Sequence, residues 1–250
     1  MLNDYVSVIM STRDPLQERT QKAILHLQRS TQPYELILLN RNRSWRTGEI
    51  INQGIHASVG DHIMFLCDDC FVEPTTLEEM KKVLQNKEVA IVGPVLTYPD
   101  GSPQSAGTSV CVVVEEGDGP PSVRIIFIAD PITLQSIDAN NMGYLTGACM
   151  MTRRDVIEDI GGYDPTCKLG GGDIDFCFRA RGLGYRIVLA EDAHAVHISG
   201  ATRGQMKSAG KDEVEGMGWF LSRWGNSEFV SKEVSGSRTF YCFGAVKTID

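Results

Sequence analysis

The sequence predicts an α/β fold, on three observations. Short apolar runs of strand length recur along the chain, amphipathic stretches of helix length alternate with them, and the turns that follow the runs carry polar and acidic residues. With 250 residues and 42% hydrophobic content the chain is long enough to bury one large core. The alternation continues without an obvious break, so residues 1–210 read as one domain, with a C-terminal helix and tail over 211–250 packed on that same domain.

In order, Tyr5-Val-Ser-Val-Ile-Met10 is a buried strand, and Ser11-Thr-Arg-Asp-Pro15 turns into a helix from about Leu16 to Arg29. Leu36-Ile-Leu-Leu39 is a second strand ending at Asn40, followed by a basic loop with Arg41, Arg43 and Arg46. A helix from about Thr47 to Ser58 carries Asn52-Gln-Gly54, and Gly60-Asp-His-Ile-Met-Phe-Leu66 is a third strand ending in Cys67-Asp-Asp-Cys70. These three strand ends are expected side by side, the place where open α/β sheets hold ligands. Thr75 to Gln85 is an amphipathic helix with Leu77, Met80, Val83 and Leu84 on its apolar face, and Val89-Ala-Ile-Val-Gly-Pro94 a fourth strand. Val110–Val114 and Val123–Ala129 suggest two more strands around a Gly/Pro-rich loop.

The most informative stretch runs from Tyr144 to His197. Leu145-Thr-Gly-Ala-Cys-Met-Met151 reads as a buried strand, Asp155 to Ile160 as a short helix, and Gly161-Gly162-Tyr163-Asp164-Pro165 as a turn whose glycines permit positive φ. Gly170-Gly-Gly-Asp173-Ile-Asp175 then opens a helix ended by Gly182 and Gly184, and the strand Ala193-His-Ala-Val-His197 follows, with His194 and His197 on opposite faces. Beyond it, Ser199 to Gly210 is a polar, glycine-punctuated loop with Arg203 and Lys207, and a helix with Trp219, Phe220, Leu221 and Trp224 packs back on the domain.

Composition excludes several classes. A formal net charge of -8 argues against a nucleic-acid polymer as partner, since such binding rests on clustered Lys and Arg. No apolar run approaches the roughly 20 residues of a membrane span and no signal-peptide pattern opens the chain, so a cytoplasmic protein with at most peripheral membrane contact is expected. The 7 cysteines, odd in number and scattered, fit reduced packed thiols better than a disulfide framework. Cys67 and Cys70 form a C-x-x-C, but a structural zinc needs a second ligand pair and none stands close in sequence, while a redox pair would have to open a helix.

Asp68 and Asp69 end a strand, where paired carboxylates cost free energy unless a cation compensates them; a solvated turn is the alternative. Hard oxygen ligands suit a divalent cation such as Mn²⁺ or Mg²⁺.

The run from Thr146 to His197, together with Tyr98-Pro-Asp-Gly-Ser-Pro-Gln-Ser-Ala-Gly107, strongly resembles the family 2 glycosyltransferases, enzymes of GT-A fold that transfer sugars from nucleotide donors. The resemblance covers nearly the whole chain. It implies a Rossmann-like, mainly parallel central sheet flanked by helices, with a small acceptor-side sheet. It further implies inverting transfer from a UDP- or dTDP-sugar donor to a saccharide, lipid-linked saccharide or other hydroxyl acceptor, as in polysaccharide biosynthesis. By the same resemblance Asp69 and His197 hold the metal, Asp68 contacts the ribose or supports the metal ligand, and Asp173 is the catalytic base. Asp175 holds Arg179 or contacts the acceptor. Ser11, Arg13, Asn40, Asn52, Gly147 and Ala148 line the donor site, and Arg203 closes over the diphosphate with Lys207 beside it.

Three positions depart from the family pattern. Gly172 stands where an acid usually precedes the base, Ser11-Thr-Arg13-Asp14 replaces a Thr-Tyr-Asn-Arg turn, and Asn40 replaces an Asp that reads uracil. Asn both donates and accepts, so a pyrimidine edge is still readable. Two other readings stand beside transfer. A nucleotidyltransferase should carry a glycine in its first phosphate loop, which Ser11–Pro15 lacks, and a catalytically silent sugar-nucleotide binding module draws support from Gly172.

Overall fold

The computed structural model describes residues 5–40, 46–105, 109–116, 122–128, 142–167, 170–198 and 209–243. Alternation along the first strand shows how the core is divided. In β1 (Val6–Thr12), Val6, Val8 and Met10 pack on one face with Ala23 and Leu27 of α1 (Glu18–Leu27), whereas Ile9 points the other way, toward Ile51 of α2 (Thr47–Ala57) and Phe65 of β3 (His62–Cys67). The period-2 geometry of a strand therefore gives the sheet two apolar faces, each covered by helices. α1 begins where the Asp14 carboxylate accepts the Leu16 N–H, and it buries Thr20, Ala23 and Leu27 on one stripe.

The main sheet has the order β2-β1-β3-β9-β5-β10-β4, with β6 on β5. β2 (Tyr34–Asn40), β1 and β3 run parallel, as do β5 (Val89–Thr97) and β10 (Arg186–His197). β9 (Cys149–Arg153) enters antiparallel between β3 and β5, β4 (Cys70–Val72) is antiparallel to β10, and β6 (Pro103–Ser105) is antiparallel to β5. Five of the eight strands, β1, β2, β3, β5 and β10, therefore share one direction, so the sheet is mainly parallel with β9, β4 and β6 reversed. The reversal of β9 brings its start, not its end, to the carboxyl edge of β3, where Cys67 N–H donates to Ala148 O at 2.8 Å.

α3 (Thr76–Val83) covers the β1/α1 face through Leu77 and Met80. The opposite face is filled by α4 (Arg154–Ile160) and by α5 (Gly172–Gly182), in which Ile174, Phe176, Cys177, Phe178 and Ala180 are all buried. Phe176 stacks on Tyr163 at 5.1 Å and meets Phe65 edge-on at 5.8 Å. Each such buried ring contributes roughly 1.5–3 kcal/mol. α6 (Ala209–Trp224) lies over α5, with Phe220 and Trp224 against Phe178. No helix among the described residues is long and apolar enough to cross a membrane.

A second sheet, β11-β12-β7-β8, joins β7 (Ser109–Glu115) and β8 (Ser122–Ile128) to a C-terminal hairpin of β11 (Ser231–Ser235) and β12 (Arg238–Phe243). The sequence predicts only a tail here, because β11 is exposed throughout and lacks an alternating pattern. This hairpin also corrects the reading of all cysteines as reduced. Cys242 is disulfide-bonded, and its register partner in β7 is Cys111. Cys242 stands in a strand with no cysteine near it in sequence, so nothing local signals its bonding.

At the N-terminus of α2, a Cβ on Gly48 would lie 2.0 Å from the backbone oxygen of Asp164, which cannot move aside like a side chain. Gly48→Ala is therefore expected to destabilise the protein by about 1–3 kcal/mol, the usual cost of overpacking. Equilibrium urea denaturation measures it, and a wild-type midpoint would show that α2 does not approach the Asp164 loop this closely.

Candidate active site

The carboxyl edge of the main sheet gathers the polar residues. Ser11, near the end of β1, is in register with Leu39 of β2 and Cys67 of β3, and Arg13 follows one residue beyond the strand. Asn40 ends β2 in an exposed position. The turn between β3 and β4 is Asp68-Asp69, and because β4 pairs with β10, His197 stands opposite Cys70 and beside Asp69. Ile198 N–H donates to Asp69 O at 3.1 Å, fixing the turn to the end of β10.

His197 Nε2 lies 3.3 Å from Asp69 Oδ1, with the side chains 14% and 7% exposed. Burial opposes ionisation of Asp69, but the hydrogen bond and charge of His197, with the charge of Arg19, hold its carboxyl below the usual range. It is therefore carboxylate at neutral pH. The neighbouring Asp68 turns the other way. Its Oδ2 accepts from Thr12 Oγ1 at 2.7 Å and Thr20 Oγ1 at 3.2 Å and lies 3.6 Å from the Arg19 guanidinium, which ties the acidic turn to β1 and α1.

Asp69 and His197 make a donor set of one carboxylate oxygen and one imidazole nitrogen on one edge. Among the described residues no group of three His, Cys, Asp or Glu could hold a metal. One carboxylate and one imidazole would suit a divalent cation such as Mn²⁺ or Mg²⁺. The cysteines nearby do not compete for this role. Cys67 and Cys70 are free thiols. Burial, with the charges of Asp69 and Asp68 among others, pushes the Cys67 thiol up, and a hydrogen bond with Cys149, then burial, raises that of Cys70.

Asp173 reaches the same edge from α5. Gly170 and Gly171 take φ of +85° and +80°, a conformation that favours glycine, and so bend the chain into the helix. Asp173 Oδ2 then accepts the Gly147 N–H at 2.8 Å, and Oδ1 accepts the Ile174 N–H at 3.0 Å. Gly147 is needed for that approach, because a Cβ there would meet Asp173 Cβ at 3.2 Å. Ala148, through its bond to Cys67, carries the link on to β3. Gly172 is explained by packing as well. A Cβ at that position would lie 2.8 Å from Cys167 Sγ, so the space an acidic side chain would enter is filled.

Two predicted site residues lie elsewhere. Asn52 donates from Nδ2 to Tyr163 O at 2.7 Å and accepts the Tyr163 N–H on Oδ1 at 2.8 Å, so its amide holds the Gly161–Tyr163 turn rather than lining a donor pocket. Asp175 is fully buried and makes no surface for an acceptor. Arg179 Nε donates to its Oδ2 at 2.8 Å, and Trp224 Nε1 and Arg223 Nε reach its Oδ1 at 2.9 and 3.1 Å. Two helical residues later means a rotation of about 200°, so Asp173 and Asp175 face opposite ways. Arg203 and Lys207 lie outside the described residues, as do Arg41 and Arg43. His194 is exposed, and its backbone oxygen accepts from Thr76 Oγ1.

Sequence reasoning missed several partners. Thr12, Arg19 and Thr20 anchor Asp68, Arg223 and Trp224 anchor Asp175, and Gln104 meets His197. Thr12 and Gln104 stand in stretches already singled out, so a strand-end hydroxyl and a glutamine after a tight turn were the available signals.

Residues 9–161 match the family described as Glycosyl transferase family 2. The chain belongs to that family. Among relatives, the O-antigen biosynthesis protein RfbC of Myxococcus xanthus is 29% identical over 171 residues, 67% of this chain and 13% of RfbC. The chain spans between 13% and 51% of the length of the curated relatives it matches. Among solved structures, the mannosyltransferase PcManGT of Pyrobaculum calidifontis, in complex with GDP-Man and Mn²⁺, superposes with a TM-score of 0.56 at 13% identity, covering 78% of this chain and 57% of PcManGT. GalNAc-T7 with UDP, GalNAc and Mn²⁺ gives 0.50 at 11% identity, covering 77% and 43%. These likenesses show the fold, which is GT-A, as the family membership requires.

The contacts of Asp175 separate two roles for the family 2 chain. Asp175→Ala should cost roughly 3–5 kcal/mol in urea denaturation, because Arg179 would lose its carboxylate partner at a buried site and keep only the backbone oxygens of Ile160 and Gly161. Arg223, 42% exposed, should cost no more than about 1 kcal/mol when changed to Ala. Equal, small losses in both variants would remove Asp175 as the buried anchor.

Proposed function

We propose that the protein is a metal-dependent, inverting glycosyltransferase that moves a sugar from a nucleotide-diphosphate donor, UDP- or dTDP-linked, to a hydroxyl of a saccharide or lipid-linked saccharide. The observation that carries this is the 3.3 Å approach of His197 Nε2 to Asp69 Oδ1 at the sheet edge of a family 2 chain. RfbC, named for O-antigen biosynthesis, supports a saccharide acceptor, and the complexes of PcManGT and GalNAc-T7 support a nucleotide-sugar donor and Mn²⁺. The reading takes residues 1–210 as the catalytic unit with 211–250 packed on it, in the cytoplasm.

The residues divide the work as follows. Asp69 and His197 would hold Mn²⁺ or Mg²⁺, which supplies neutralisation of the diphosphate charge as the bond to the sugar breaks. Asp68, tied to Thr12, Thr20 and Arg19, keeps the acidic turn in place. Ser11, Arg13 and Asn40 line the base and ribose side, and Gly147 and Ala148 let the donor approach the backbone. Asp173 takes the proton of the acceptor hydroxyl as its oxygen bonds to the anomeric carbon, and the nucleoside diphosphate departs from the opposite face with the bonding electrons. Two backbone N–H groups orient this carboxylate. Each carboxylate oxygen carries two acceptor sites, so those bonds do not by themselves exhaust its capacity for a proton.

The test is a panel of nucleotide sugars, uridine, thymidine and guanosine included, screened by thermal shift with and without Mn²⁺, followed by transfer assays. Asp173→Asn should retain donor binding while transfer falls about 10²–10⁴-fold, the usual worth of a positioned base. Asp69→Ala should instead lose the Mn²⁺-dependent part of donor binding. Near-wild-type turnover in Asp173→Asn would remove it as the base, and donor affinity independent of metal in the wild type would remove the metal bridge.

A further inference from the structure

His197 is gripped on the side away from Asp69. The segment Tyr98-Pro-Asp-Gly-Ser102 forms a tight turn, with Gly101 at φ +83°, Tyr98 N–H bonded to Ser102 O at 2.8 Å, and Asp100 Oδ1 accepting both the N–H and the hydroxyl of Ser102. The turn folds β6 back on β5, with Thr97 opposite Pro103, and Thr97 in turn is opposite Val196 of β10. Gln104 is thereby carried to His197. Its Nε2 donates to His197 O at 2.9 Å, and its Oε1 lies 2.6 Å from His197 Nδ1.

These two contacts determine a proton position. A backbone carbonyl only accepts, so the Gln104 atom facing His197 O must be the amide nitrogen. The atom facing Nδ1 is then the amide oxygen, which also only accepts, and Nδ1 must carry hydrogen. With Nδ1 protonated, Nε2 carries either the second hydrogen of an imidazolium, donated to Asp69 Oδ1 in the metal-free protein, or, in the neutral ring, a lone pair for a cation beside that carboxylate. We infer that Gln104 is a positioning residue: it holds His197 in the Nδ1–H tautomer and in a fixed ring orientation, so that Nε2 is presented as a metal donor beside Asp69. This rests on the metal role proposed above for those two residues. A hydrogen bond to the distal ring nitrogen of a ligating histidine fixes tautomer and raises ligand basicity, and its loss costs about 10–100-fold in metal affinity.

The experiment compares wild type, Gln104→Met and Gln104→Glu. Methionine keeps the volume and removes the acceptor, whereas glutamate keeps an acceptor for Nδ1–H. Long-range ¹H–¹⁵N NMR of the metal-free protein, above the imidazole titration range, reads the tautomer of His197 directly. The expected result is Nδ1–H in wild type and Gln104→Glu, with a shift toward Nε2–H in Gln104→Met. Mn²⁺ binding followed by electron paramagnetic resonance in the presence of UDP, and separately of GDP, should weaken about 10-fold or more in Gln104→Met and recover in Gln104→Glu. An Nε2–H tautomer in wild type, or Mn²⁺ affinity unchanged in Gln104→Met, would overturn the inference. If wild type binds no Mn²⁺ with either nucleotide, the metal reading fails, and the tautomer measurement alone then decides whether Gln104 sets the His197 ring.

Discussion

The pairing of β4 with β10 is the constraint on which the site depends. A three-residue strand, Cys70–Val72, returns antiparallel to the end of β10 and holds the Asp68-Asp69 turn against His197. Two buried polar side chains meet there at 3.3 Å, at a sheet edge where isolated carboxylates are expensive. The cost is offset locally. Asp68 is compensated by two threonine hydroxyls and Arg19, and Asp69 by His197 and the charge of Arg19. The two acids thus turn to different sides, Asp68 to β1 and α1 and Asp69 to β10, with Arg19 serving both.

A second device brings Asp173 to that edge. The glycine bend at 170 and 171, the tight approach of Gly147, and the bond from Gly147 N–H to the carboxylate connect α5 to the segment before β9, which is itself bonded to β3. The other end of this arrangement is buried. Asp175, one helix face away, fastens α5 to α6 through Trp224 and Arg223, and Arg223 also reaches Asp164 in the loop that leads into the helix. One acid of the Asp173-Ile-Asp175 pair is therefore at the site and the other in the scaffold. Substitution at the second would act on the first through helix position rather than through chemistry.

Legibility in the sequence followed locality. β1, β2, β3, β5 and the helices between them were readable within about two residues at most ends, since strand and helix periods are local properties of side-chain direction. The reversal of β9, the short β4 and β6, and the C-terminal hairpin were not, because three-residue strands carry too little pattern and β11 is exposed on both faces. Asn52 shows the same limit among site residues. Its polar amide on a helix beside a strand edge reads as a ligand contact, yet the backbone of Tyr163, more than a hundred residues later, takes both ends of it.

By itself the sequence determined the α/β class, the family, and the residues able to carry charge at strand ends, Asp68, Asp69 and His197, and at a helix start, Asp173. Residue chemistry and periodicity are written in the chain. Only the tertiary structure decided which of these meet, that Asp69 faces His197 while Asp68 faces α1, that Asp175 turns inward, and that Gln104 grips the far side of the imidazole. Those outcomes depend on strand order, register and helix rotation. All three arise from contacts between segments far apart in the chain, and a hydrogen bond a few ångströms long has no signature until both of its partners are placed.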